Sequence, residues 1–198
     1  MDQEKIEKFE DEIKGLYINP ASLRRDLSIS ETREFYSSLW NVHVKPVIEY
    51  GKQLAEKYDA DLEIVWLASI LHDIARLDDV ENHDEVGSEK AYEILLEKGF
   101  GENAAKRVRE TILTHSCKQH MPETIEQKVV ASADAMSHFL APFYLWMGRH
   151  SDKDFKEFQK KNLQRIEHDF NDKIFFEDEK RIVKNQYDIL KRWFEYDA

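Results

Sequence analysis

The stretch IVWLASILHDI, residues 64–74, is apolar on nearly every side until it reaches His72 and Asp73. A helix that is apolar around its whole circumference is normally buried in a protein core. Asp61 stands just before the stretch, where its carboxylate can cap the first turn of a helix. The sequence therefore predicts a central core helix that carries the His72-Asp73 pair at its carboxyl end.

The composition favours an all-α fold. The 198 residues include only six glycines and four prolines, which leaves little room for the turns of an all-β protein. The length favours one domain. We expect a single all-helical domain over residues 1–198, with its core at about 40–140 and a C-terminal helical hairpin at about 152–198.

Capping signals and apolar spacing divide the rest of the chain into helices. Ser28 with Glu31 and Thr124 with Gln127 are typical capping boxes. Pro46 must kink its helix or lie in the first turn. Apart from the core helix, helices are predicted at residues 3–17, 41–58, 83–99 with a glycine cap, 102–115, 153–173 and 177–196, and a further helix capped by Thr124 carries Asp134. A polar loop, ARLDDVENHD, is predicted at 75–84.

The charge balance limits the kinds of partner. A net charge of −11 argues against a nucleic-acid-binding surface, because such surfaces cluster lysine and arginine. A small anionic substrate remains compatible, since bound divalent cations would dominate the charge of their own site.

Cysteine usage and the lack of long apolar stretches favour a cytoplasmic protein that binds no membrane. Cys117 is the only cysteine, so no internal disulfide can form. We expect it to be a packed thiol, because a structural zinc site needs several Cys or His at close spacing. The N-terminus has no apolar signal core, and no stretch approaches the ~20 apolar residues that span a bilayer.

Six titratable side chains occur at the ends of otherwise apolar helices. Buried acids and bases are costly unless they have partners. Imidazole and carboxylate together suit Mn, Fe, Co, Ni or Zn. A hydrogen-bonded core histidine, or an aspartate that accepts a backbone hydrogen bond, is the structural alternative for each residue. The six are His43, His72, Asp73, His83, His115 and Asp134.

The order of these residues resembles the HD-domain superfamily of metal-dependent phosphohydrolases, whose pattern is a His, a His-Asp pair after apolar residues, and a distant Asp. The stretch LASILHDIAR, residues 67–76, is similar to the family signature, with Ala75 for Gly and Arg76 for Lys. The resemblance extends over about residues 40–140 through HDEVGSEKA from His83, ILTHS around His115, and SADAMSH around Asp134.

The resemblance implies a helical bundle that holds divalent metal ions, expected to number two and to be Mn, Fe, Co, Ni, Mg or Zn. It makes His43, His72, Asp73 and Asp134 the ligands of the first ion. Asp73 would bridge to a second ion held by His83 and His115. His120 competes with His115 for that position, whereas His138, His150 and His168 match no motif and are expected to be structural or solvent-exposed.

The implied activity is hydrolysis of a small phosphorylated molecule, such as a nucleotide, by metal-activated water. Arg76 could bind a phosphate bidentately, or could form a surface ion pair with Asp78 or Asp79. The proton donor is open among carboxylates in or after the loop beside the His-Asp pair: Asp78, Asp79, Glu81, Glu85 and Glu89, of which we favour Asp78 and Glu85. Lys90 and Lys118 are weaker candidates for substrate contact, and the aromatic run FLAPFYLW at 139–146 is expected to serve packing more than base binding.

Two other functions stay open. A branch of the same superfamily consists of di-iron oxygenases with a comparable six-residue ligand set, and a non-catalytic metal- or nucleotide-binding module would also use the fold. The absence of a Gly-Tyr-Pro segment argues against the cyclic-dinucleotide branch. A homodimer is compatible with the sequence.

Overall fold

The computed structural model describes residues 2–22, 24, 27–78, 80 and 82–196. Every regular element in those ranges is helical, so the predicted all-α fold is confirmed. The α-helices are α1 (Gln3–Ile18), α2 (Ile29–Leu39), α3 (Lys45–Lys57), α4 (Leu62–Leu71), α5 (His83–Glu97), α6 (Glu102–Thr114), α7 (Ile125–Leu140), α8 (Phe143–Arg149), α9 (Phe155–His168) and α10 (Glu177–Phe194).

Helix α4 lies at the centre of the molecule, as predicted. Every side chain from Ile64 to Leu71 is buried, against α1, α3, α6 and α7. Asp61 caps the helix through a hydrogen bond from the backbone N–H of Glu63 (3.1 Å). The helix ends at the His-Asp pair, which is therefore held at the inner end of the core.

Three irregular helical turns depart from the predicted elements. The helix predicted at 41–58 is continuous with α2 through a π-helical turn, Trp40–Val44, and Pro46 lies in the first turn of α3. The start of the predicted polar loop lies in a 3₁₀ helix, Ile74–Asp78, whose apolar side chains are buried. The helix predicted at 153–173 ends at His168 and continues as a second π-helical turn, Asp169–Lys173.

The predicted capping signals are confirmed. Both boxes, Ser28 with Glu31 and Thr124 with Gln127, form in full at the starts of α2 and α7. Gly99 follows α5 with φ +71°, a left-handed conformation that glycine adopts without strain. The C-terminal hairpin of α9 and α10 packs on α7 through α10 and the second π-helical turn.

Gly51 marks the closest approach of α3 to α4. A Cβ atom there would lie 2.6 Å from Ser69 Oγ and 3.3 Å from Val65 Cγ1. We expect Gly51→Ala to lower the free energy of unfolding by about 1–3 kcal/mol, the usual cost of overpacking, in a urea titration. Gly15→Ala in α1 is the control, because a Cβ there meets nothing within 4 Å. It should instead raise stability by about 0.5–1 kcal/mol, and a similar loss in both variants would contradict the packing explanation.

Candidate metal centre

The six side chains singled out in the sequence come together at one place. His43 comes from the first π-helical turn, and His72 and Asp73 follow the end of α4. His83 begins α5, His115 follows α6 and Asp134 lies in the middle of α7. All are buried except His83, which is partly exposed.

The first group of side chains surrounds His43. Its Nε2 atom lies 3.3 Å from Asp73 Oδ2 and 3.3 Å from Asp134 Oδ1. His72 Nε2 lies 3.1 Å from His43 Nε2, and within 3.9 Å of the same two carboxylate oxygens. Four donor atoms, from the end of α4, from α7 and from the π-helical turn, thus face one point.

The hydrogen bonds behind the imidazole rings decide which nitrogen faces that point. Nδ1–H of His72 donates to the carbonyl oxygen of Ser69 (2.9 Å). Nδ1–H of His43 donates to Ser137 Oγ (2.8 Å), whose own hydroxyl donates to the carbonyl oxygen of Asp134 (2.8 Å). Each Nε2 therefore presents a lone pair, and lone pairs and carboxylate oxygens that face each other without a proton fit a divalent cation.

The second group shares Asp73 with the first. Asp73 turns Oδ2 toward His43 and Oδ1 toward His83, whose Nε2 lies 3.7 Å away. One donor atom each from Asp73, His83 and His115 lies within 4.8 Å of the others. His115 donates Nδ1–H to the carbonyl oxygen of Ile112 (2.6 Å), so its Nε2 also presents a lone pair. Asp73 thus has the geometry of a bridging carboxylate.

Burial keeps His43 and His115 neutral. Burial lowers the pKa of His43 and that of His115 to about 4 in each case. Both imidazoles therefore carry a free electron pair at neutral pH. Asp73 is ionised although burial opposes its charge, because the Arg76 guanidinium holds the pKa of its carboxyl well below the usual range.

Arg76 pairs with Asp73 rather than with a surface acid. Its Nε donates to Asp73 Oδ2 (2.6 Å), and Nη2 donates to His83 Nε2 (3.1 Å). Asp78, one of the surface partners considered from the sequence, accepts from Lys90 instead (2.5 Å). Asp79, the other, lies outside the described residues.

The carboxylates favoured as proton donors do not reach the centre. Asp78 and Glu85 are exposed, and neither lines the cavity described below. Helix α5 begins at His83, so Glu85 points about 200° around the helix from His83 and away from the core. Glu89 is exposed and pairs with Arg109, and Glu81 lies outside the described residues. The adjacent Asp84, which the sequence reasoning did not single out, faces the centre.

His138 also lies at the centre, although it was expected to be structural. Its Nε2 lies 3.7 Å from Asp134 Oδ1, and its Nδ1 lies 2.8 Å from Asp169 Oδ2. The ring stacks on Phe143 with centroids 4.0 Å apart. The spacing of four residues between Asp134 and His138 on one helix was the signal that could have identified it.

The C-terminal tail, which showed no metal-type signal, supplies a buried cation. Lys173 Nζ donates to Asp134 Oδ2 and lies 3.6 Å from Asp169 Oδ1. Lys173 and both carboxylates are buried, so the pairing satisfies charges that would otherwise be costly. Although burial opposes ionisation, Lys173 holds the pKa of Asp134 well below the usual range.

The other candidate ligands from the sequence lie elsewhere. His120 is exposed and outside the cavity lining, whereas its rival His115 is buried in the second group. Cys117 is a packed thiol, and burial raises its pKa to about 12. His150 and His168 line the cavity; His150 contacts aromatic rings, and His168 hydrogen-bonds to the Ser116 carbonyl.

A cavity of about 770 Å³ opens onto both groups of side chains. Phe35, Phe143, Trp146 and Phe158 form its apolar wall. The aromatic run at 139–146 thus has two roles, because Phe143 and Trp146 line the cavity while its other aromatic members, Phe139 and Tyr144, pack against the hairpin.

The cavity wall is rich in cations, in contrast to the net charge of the chain. Two of these cations have no carboxylate partner in the part of the chain that the structure describes. Arg165 contacts Met147 Sδ (3.6 Å) and lies 5.8 Å from the ring centre of Phe143, and Lys118 is exposed without a polar contact. The cavity cations are Arg24, Arg76, Lys118, Lys153, Lys161, Arg165 and Lys173.

Among the described residues, no helix is both long enough and apolar enough to cross a membrane.

Comparison with known proteins gives matches over this region. Residues 42–138 match the family model of the HD domain. An uncharacterized protein of Methanocaldococcus jannaschii, MJ0778, is 36% identical over 110 residues, which are 46% of this chain and 62% of that protein. The chain therefore matches less than two thirds of that relative's length.

Two solved structures share the fold. A predicted HD superfamily hydrolase from an uncultured Thermotogales bacterium has a TM-score of 0.55 and 20% identity, over 96% of this chain and 88% of that one. YpgQ of Bacillus subtilis, solved in complex with ADP, has a TM-score of 0.58 and 18% identity, over 93% of each chain.

Proposed function

This chain belongs to the HD-domain superfamily, and on that premise we propose that it is a metal-dependent phosphohydrolase acting on a small phosphorylated molecule. The observation that carries the proposal is the position of Asp73, whose two oxygens face two separate groups of histidine nitrogens. His43, His72, Asp73 and Asp134 would hold one ion, and Asp73, His83 and His115 the other. Divalent ions bound there would lower the pKa of water toward neutrality and polarise phosphoryl oxygens.

The cavity supports an anionic substrate. Its cations line the approach to the metal centre in a chain whose net charge is −11. The guanidinium of Arg76 contacts Asp73, while 46% of the Arg76 side chain is exposed. The guanidinium can therefore also face a phosphoryl group. The ADP complex of YpgQ supports a phosphorylated ligand. The aromatic wall is compatible with a nucleobase, and a nucleotide is therefore the first substrate class to test.

The test joins metal analysis to a phosphatase screen. The purified chain is stripped with a chelator, reloaded with Mn²⁺, Co²⁺, Ni²⁺ or Mg²⁺, and assayed for phosphate release from nucleotides and sugar phosphates. We expect release that requires the metal. Absence of release from every substrate by the loaded protein would contradict the proposal, and iron with an oxygen-responsive absorbance would point to the oxygenase branch.

Arg165 provides a test of substrate recognition. We expect Arg165→Ala to raise KM about tenfold to a hundredfold with little change in kcat, because a charge-assisted hydrogen bond contributes about 1.5–3 kcal/mol. Loss of a group that binds the substrate and the transition state equally raises KM and leaves kcat unchanged. Arg181→Ala is the control, because Arg181 is exposed and pairs with Asp178 outside the cavity lining. An unchanged KM for Arg165→Ala would remove this residue from the substrate site.

A further inference from the structure

We propose that Asp84 is a fourth protein ligand at the second metal position, beside Asp73, His83 and His115. The proposal rests on the metal centre of the proposed function, but it concerns binding of the ion rather than the reaction. The family resemblance assigns no role to this position, and the favoured carboxylate of the same helix was its neighbour, Glu85.

The distances place Asp84 among the other three donors. Its Oδ1 atom lies 2.9 Å from His83 Nε2 and 3.6 Å from His115 Nε2. His83 Nε2 lies 3.7 Å from Asp73 Oδ1 on its other side. Two imidazole nitrogens therefore lie beside Asp84 Oδ1, and one of them, His83 Nε2, also lies beside Asp73 Oδ1. Nitrogen and carboxylate donors of this kind suit Mn, Fe, Co, Ni or Zn.

Neither of the two neighbouring imidazoles donates a hydrogen bond to Asp84 Oδ1. Nη2 of Arg76 can only donate, so His83 Nε2, at 3.1 Å, accepts and cannot also donate to Asp84. His115 has its proton on Nδ1, where it bonds to the Ile112 carbonyl oxygen, so its Nε2 is a lone pair as well. Asp84 Oδ1 is buried and has no hydrogen bond to any described residue.

A carboxylate oxygen that faces the lone pairs of two imidazole nitrogens is a favourable site for a cation. A buried charged oxygen without a hydrogen bond is costly, and such atoms are rare unless an ion or water satisfies them. The described residues place no cationic side chain on this oxygen. A divalent ion would neutralise Asp84 Oδ1, bind the lone pair of His115 Nε2 and replace the N–H of Arg76 at His83 Nε2.

The other oxygen of Asp84 is held in a way that aims Oδ1 at this position. Ser116 Oγ donates to Asp84 Oδ2. Ser116 is buried and directly follows His115, and His168 Nε2 donates to its carbonyl oxygen (2.9 Å). A hydrogen bond to one carboxylate oxygen fixes the direction of the other, as second-sphere contacts commonly do for metal ligands.

The experiment measures metal binding and does not depend on turnover. Chelator-stripped protein is titrated with Mn²⁺ by calorimetry, and bound metal is counted after gel filtration. We expect about two ions for the unaltered chain, and about one for Asp84→Asn, with the second site weakened at least about tenfold. His83→Ala and His115→Ala should give the same count. Glu85→Gln is the matched control, because its exposed carboxylate adjoins Asp84, and it should retain both ions.

Ser116→Ala keeps the carboxylate but removes the group that orients it, so the second site should weaken less than in Asp84→Asn. Far-ultraviolet circular dichroism checks that each variant is folded. Wild-type affinity for the second ion in Asp84→Asn, while His83→Ala loses it, would overturn the proposal. A single ion in the unaltered chain would also overturn it, whereas the proposed phosphohydrolase activity would still be decided by metal-dependent phosphate release.

Discussion

Asp73→Ala should abolish metal-dependent phosphate release and empty both metal positions. Asp73 is the only described residue whose oxygens face both groups of histidine nitrogens, so its loss removes a ligand from each position at once. We expect kcat/KM to fall by at least about a thousandfold, because metal ions contribute several kcal/mol to charge stabilisation and each 1.36 kcal/mol is a factor of ten.

Metal content and activity are measured together for this variant, with circular dichroism to check the helical signal. Asp73→Asn is a second variant of nearly the same size, and it should also lose the bridging function. Asp178→Ala is the control, because Asp178 is an exposed carboxylate on α10 that pairs with Arg181. Full activity with an unchanged metal content in Asp73→Ala would show that the site is wrongly assigned.

Lys173→Met should cost about 3–5 kcal/mol of stability in the metal-free protein. The substitution leaves Asp134 and Asp169 buried without their cation, and breaking a buried pair by removing one partner has a cost of that size. Urea denaturation of the chelator-treated protein gives the value. Lys184→Met in α10 is the control, because its pair with Asp188 is half-exposed and its loss should cost less than about 1 kcal/mol.

The same variant should alter how stability depends on pH. Burial opposes ionisation of Asp134 and Asp169, yet Lys173, together with His138, lowers the pKa of both carboxyls. A lowered pKa stabilises the fold above the ordinary pKa of aspartate, and this stabilisation is lost as the pH falls through the folded-state pKa. Without Lys173 the two pKa values should rise, so acid should cost the variant less stability than it costs the unaltered chain. A parallel pH dependence of the two proteins would contradict this explanation.

The candidate ligands could be identified in the sequence because they have distinctive chemistry in a distinctive order. His43, the His72-Asp73 pair and Asp134 each interrupt an apolar helix, and a helix end in the core must find a partner for such a group. The stretch that is apolar on nearly every side likewise predicted α4, and the capping box of Thr124 with Gln127 predicted the start of α7. The four residues predicted for the first ion and the three predicted for the second, which share Asp73, are brought together in the structure.

The remaining residues of the centre depend on information that local patterns do not contain. Whether Asp84 or its neighbour Glu85 faces the centre depends on the rotation of α5 about its axis. That rotation is set by the residue at which the helix starts. Asp169 and Lys173 reach the centre because the chain after α9 is anchored on α7, where Ser132 Oγ donates to the Lys173 carbonyl (3.2 Å) and accepts from the N–H of Phe175 (3.0 Å). Contacts between segments about forty residues apart are tertiary, and they overrode the long helix that spacing alone predicted.

The position of Lys173 limits how far the chain can be truncated. The match to the family model ends at residue 138, but the cation that balances Asp134 lies thirty-five residues further on. A fragment trimmed to the matched segment would retain the candidate ligands and lose the charge that makes the burial of Asp134 tolerable. It would also lose α1, whose side chains from Ile6 to Tyr17 complete the core. The recognisable segment and the unit that can be expressed as a stable protein therefore have different borders, and the shortest working fragment must extend past the second π-helical turn.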